Sequence, residues 1–109
     1  MSSIPERDWK QLRAVQADLL NGVCERVFQK IDSLAGNRAG REHEAYLRLW
    51  KLLKSEDRKV ASMFDDLKRS TALQKLAAWR HYGALTDNLL GRFSDETQKT
   101  IRALSDLMR

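Results

Sequence analysis

Gly36-Asn37-Arg38-Ala39-Gly40 decides how this chain folds, because it separates two long segments that both carry apolar residues at helical spacing. Glycines at both ends of the stretch permit the positive φ values that end a helix and reverse the chain. On the N-terminal side, Trp9, Leu12, Gln16, Leu20, Val23, Val27, Ile31 and Leu34 recur at steps of three and four, which predicts one helix over residues 3–35. Ser3 and Glu6 have capping-box spacing at its start, and Pro5 falls in its first turn. Asn21-Gly22 does not break it, since neither flank alternates as a hairpin strand would. Gly22 costs about 1 kcal/mol there relative to Ala, so a bulky side chain from a neighbouring helix, Leu53 or Trp50, is expected against its backbone.

On the C-terminal side, Tyr46, Leu49, Trp50, Leu53, Val60, Met63, Phe64 and Leu67 share a face and predict a second helix over 40–70. Glu56 and Asp57 occupy the stripe where an apolar residue is due, and Ser55 could begin a new helix there. Each helix would be about 40 to 45 Å long at 1.5 Å per residue, and five residues between them fold back as an antiparallel hairpin. After Lys68-Arg69-Ser70-Thr71 the stripe changes phase. A third helix over 71–83 ends at Gly83, a short one follows over 86–93, and a last one spans 94–108 behind Ser94-Asp95-Glu96. The expected fold is all-α and bundle-like: one domain over 1–109, a long helical hairpin covered by two or three shorter C-terminal helices.

A chain of 109 residues supports one modest core. The lone Cys24 allows no intrachain disulfide and suits a reducing compartment. No apolar run approaches the roughly 18 residues of a membrane span, and the polar N-terminus lacks a signal-peptide core. No membrane partner and a cytoplasmic location are expected.

Enzymatic chemistry finds little support. His43 and His81 lie far apart, and with one cysteine they fall short of a structural zinc set. Cys24 reads as a small buried hydrophobe. No glycine-rich phosphate loop occurs. Adjacent acids at Glu56-Asp57 and Asp65-Asp66 point about 100° apart on a helix, so neither pair converges, although Glu56 and Asp57 could meet Asp8 or Glu25 from another helix. That possibility keeps a helical enzyme with a carboxylate site as one alternative. The main expectation assigns no catalytic, cofactor or metal residue.

The net charge of +5 is concentrated in residues 36–83. Arg41, Arg48, Lys51, Lys54 and Arg58 fall within one broad helix face, and Lys68, Arg69, Lys75 and Arg80 continue through an acid-free stretch. Such a stripe could follow a phosphate backbone, which makes a nucleic-acid-binding accessory protein a further alternative. Glu44 and Glu56 flank it, and the turn at Gly83-Ala84-Leu85 precedes too short a helix for groove reading. Trp9, Trp50 and Trp79, one per helix, are candidate core or interface anchors. Leu19, Leu47 and Leu52 lie off the main stripes, so the long helices look apolar over more than one face and need covering. The favoured expectation is a non-enzymatic protein-interaction module that associates with itself or with another protein.

Overall fold

A computed structural model describes residues 4–108. It is all-α: α1 spans Glu6–Gly36, α2 Glu42–Phe64, α3 Ala72–His81, α4 Asp87–Leu90 and α5 Asp95–Asp106, with a 3-10 turn at Arg69–Thr71. The reversal lies in the expected stretch, but only one of its two glycines takes a positive φ. α1 continues through Gly36, the Asn37 side chain donates to Ser33 O (2.8 Å), and Gly40 takes φ +79. That value is strained for any residue with a Cβ. α1 and α2 pack as the two arms of an antiparallel hairpin.

The ends of the helices differ from expectation for local reasons. Ser3 lies outside the described residues, and Pro5, at ψ 154, stands before α1 as its cap; its carbonyl accepts from the Asp8 and Trp9 amides. Ser55 does not start a new helix. α2 runs straight past it and stops at Phe64, six residues short of the expected end. Asp65 is extended and Asp66 is left-handed at φ 54, a conformation that Asp tolerates better than most residues and that ends a helix where a carboxylate also opposes the dipole. Thr71 secures the turn by accepting from the Lys68 amide (3.1 Å) and donating to Asp66 O (2.7 Å). Gly83 (φ +80) ends α3, with the Ala84 and Leu85 amides both donating to Trp79 O, and Thr86 caps α4 by accepting from the Leu89 amide.

The core sits entirely at the open end of the hairpin. Ile4, Leu12, Val23 and Met63 meet Leu76, Ala78, Trp79, Leu85, Leu90, Phe93 and Ile101 there. Trp79 is fully buried; its ring lies 5.5 Å from that of Phe64 and its indole N–H donates to Met63 O (2.9 Å). Val23 is the last buried core residue on α1 and Met63 the only one on α2. The chain measures 54 × 23 × 22 Å with a radius of gyration of 16.5 Å. A compact domain of this length would have about 13 Å. The excess is the distal half of the hairpin, a two-helix arm that projects beyond the C-terminal helices.

Candidate interaction surface

Within the arm, the inward seam of α2 is formed by Ala45, Leu49, Leu52, Glu56 and Val60, all partly buried. Leu52, which the sequence pattern placed off the stripe, belongs to this seam. Tyr46, Trp50 and Leu53, which that pattern turned inward, are exposed, and Trp50 keeps 53% of its surface. Gly22 meets no bulky partner: a Cβ built there would have nothing within 4 Å. The reason is one of phase. A line through Tyr46, Trp50 and Leu53 and a line through Ala45, Leu49, Leu52 and Glu56 both fit three- and four-residue steps, and Glu56 lies on the second.

Glu56 is held in the seam by cations. Lys30 donates to Oε1 (2.9 Å), and Lys59 lies 3.0 Å from Oε2. These bonds from Lys30 and Lys59 hold the carboxyl below its usual range against the opposing effect of burial. Asp8, the proposed partner of Glu56 in a carboxylate centre, lies elsewhere. It is fully buried at the start of α5, where Oδ1 accepts from the Ser94 amide (2.9 Å) and Oδ2 from the Ser94 and Thr97 hydroxyls (2.6 Å each). Burial alone would raise its pKa. The hydrogen bonds from Ser94 and Thr97, with help from Arg7, outweigh burial and lower it. Glu25 donates nothing to such a centre either, and accepts from Gln29 instead. Among the described residues, no three His, Cys, Asp or Glu side chains are grouped to hold a metal ion.

The nine cations of the expected basic patch divide into two sets. Arg69 holds the N-terminal segment to the turn after α2, donating to Ile4 O (3.1 Å) and Glu6 Oε1 (2.6 Å). Lys75 donates to Ser62 O, Arg80 to the Ser105 hydroxyl, and Lys68 pairs with Asp66. These four serve the globular end. Arg41, Arg48, Lys51, Lys54 and Arg58 lie exposed on the arm, with Arg48 paired to Glu44 (2.7 Å); Lys51, Lys54 and Arg58 have no ion pair among the described residues. The three tryptophans separate likewise. Trp79 is core, Trp9 packs against the core with the Arg13 guanidinium 5.6 Å above its ring, and Trp50 is on the surface.

The two broad sides of the arm differ in character. On one side, Lys30, Ser33, Asn37, Arg41, Glu44 and Arg48 rim an open groove of about 460 Å³ whose lining also includes Leu34, Ala45 and Leu52 of the seam, and Arg26, Glu56, Lys59 and Tyr82 continue it towards the globular end. The other side is apolar. At about 100° per residue, Tyr46, Trp50 and Leu53 lie a quarter-turn from the seam of α2, and Phe28 and Ala35 lie a quarter-turn from the seam of α1. Because the helices are antiparallel, both quarter-turns lead to the same side. Phe28 is 60% exposed and Tyr46 56%, with the Tyr46 and Trp50 rings 6.4 Å apart, edge to face. Phe28 is the anchor that periodicity alone misses, since it neighbours Val27 of the seam and its exposure depends on where the C-terminal helices end.

No family model, curated protein or solved structure matches this chain. Among the described residues, no helix is long and apolar enough to cross a membrane.

Proposed function

We propose that this chain is a non-enzymatic helical interaction module that associates with itself through the apolar side of its hairpin arm. The observation that carries this reading is the concentration of Phe28, Tyr46, Trp50 and Leu53 on one side of an arm that has no core of its own. Large aromatic residues grouped in the open mark sites of association, where Trp and Tyr supply much contact area at small entropic cost. Two such arms packed face to face would make a four-helix bundle in which each helix buries an apolar stripe. The nucleic-acid alternative loses support because Lys68, Arg69, Lys75 and Arg80 are bound to their own chain.

Sedimentation velocity across a concentration series tests the reading. The expected result is a reversible dimer in the micromolar range that Trp50→Ala and Phe28→Ala each weaken while circular dichroism stays helical. A strict monomer at several hundred micromolar would overturn it.

A further inference from the structure

The apolar side of the arm is bordered by opposite charges on its two edges. Along the outer edge of α1 run Asp18, Glu25 and Asp32, spaced seven residues apart, all exposed and none in an ion pair among the described residues. Along the outer edge of α2 run Lys51, Lys54 and Arg58, also exposed and without an ion pair. Seven-residue spacing brings side chains back to nearly the same angle, so each set forms an edge. The levels also correspond. With Lys30 reaching Glu56 across the seam, Asp32 lies near the height of Lys51 and Lys54.

Two copies can pack these faces together about either of two symmetry axes, and the edge charges distinguish them. An axis across the hairpin sets the arms antiparallel, with α1 over α1 and α2 over α2; acid then faces acid and base faces base. An axis along the hairpin sets α1 of each copy over α2 of the other, with both tips pointing the same way. Asp32 then meets the partner's Lys54, the cation of that edge nearest the apolar line. Opposed like charges disfavour an arrangement, so edge charge selects register more than it adds affinity. We infer that the occupant of the apolar side is a second copy of this chain, bound about a two-fold axis parallel to the hairpin, tips together, with the acidic edge of each α1 on the basic edge of the other α2. This assignment rests on the self-association proposed above and adds its geometry. Asp57, next in line after Leu53, ends the apolar stripe and confines the contact to the distal arm.

The test combines a distance with a charge exchange, both on the full chain. With Cys24→Ser and a nitroxide attached at Ala39→Cys in the exposed tip, pulsed electron resonance should give one tip-to-tip distance of roughly 20 Å or less, as helices 8 to 10 Å apart require. The antiparallel dimer centred on Trp50 would give roughly 35 Å, since eleven residues of about 1.5 Å separate Ala39 from that centre. Asp32→Lys and Lys54→Glu should each weaken the dimer about five- to tenfold, and the chain carrying both should recover most of that loss. A dimer with the long distance, or one whose double variant is weaker than either single variant, overturns the tips-together geometry and leaves self-association standing. A monomer by sedimentation overturns both.

Discussion

Asp8 shows how one side chain can join the two ends of the chain. It stands in the first turn of α1, where a carboxylate suits the dipole, yet its oxygens are taken up by Ser94 and Thr97 at the start of α5. Replacing it with Ala leaves the Ser94 amide and two hydroxyls without their acceptor in a buried place. Asp8→Ala is expected to cost about 2 to 3 kcal/mol in urea unfolding, given the strength of hydrogen bonds to a charged acceptor. The folded-state pKa of Asp8 is lowered, so its contribution is complete above the ordinary carboxylate value near pH 4 and is lost as the pH falls through the lower folded value. Asp8→Asn should flatten the fall in stability over that range, and unfolding curves collected from pH 7 down to pH 2 would reveal it. Gly22 gives the opposite expectation. With open space where its Cβ would be and a helical backbone, Gly22→Ala should stabilise the fold by about 0.5 to 1 kcal/mol, a rise in melting temperature measurable by calorimetry.

At the scale of elements, the hairpin is one pair of helices with two very different surroundings. Near the open end α1 and α2 are packed under α3 and α5, and burial of Leu12, Met63 and Trp79 resists opening. In the arm the same helices depend on a half-buried seam and on Glu56 between Lys30 and Lys59. Local stability follows buried apolar contact. Amide exchange is therefore expected to be fastest in the distal arm, from about residue 25 to 58, and slowest in α3 around Leu76 and Trp79. If the arm is the site of association, its exchange should slow as protein concentration rises while that of α3 stays constant. Uniform protection along α1 at low concentration would contradict this division.

At the scale of the whole molecule, the shape follows from a mismatch of lengths. α1, at 31 residues, reaches about 46 Å, whereas α3 has 10 residues and α5 has 12, so they cover only one end. The uncovered length carries exposed aromatic residues on one side and a groove rimmed by charged residues on the other. Nucleic acid remains a useful control on this picture: the cations left free on the arm are few, and fluorescence anisotropy with duplex DNA at two salt concentrations is expected to show only weak, steeply salt-dependent binding. Tight binding that persists at high salt would point to a role for the arm other than self-association.

The pattern of apolar residues by itself determined that the chain is all helical, and Gly36 to Gly40 determined where it reverses, because periodicity and positive φ are local properties. The glycine that ends α3 and the threonine that caps α4 were legible for the same reason. Tertiary structure alone decided which of two equally periodic lines on α2 turns inward. The line holding Leu49, Leu52 and Glu56 turns inward, where the Glu56 carboxylate meets Lys30 across the seam, and Trp50 and Tyr46 stand on the surface. It also decided the role of Asp8, whose partners lie more than eighty residues away, and it divided the basic residues into those that hold the fold and those that face outward. Each of these depends on what stands opposite a side chain, which spacing along one chain does not encode.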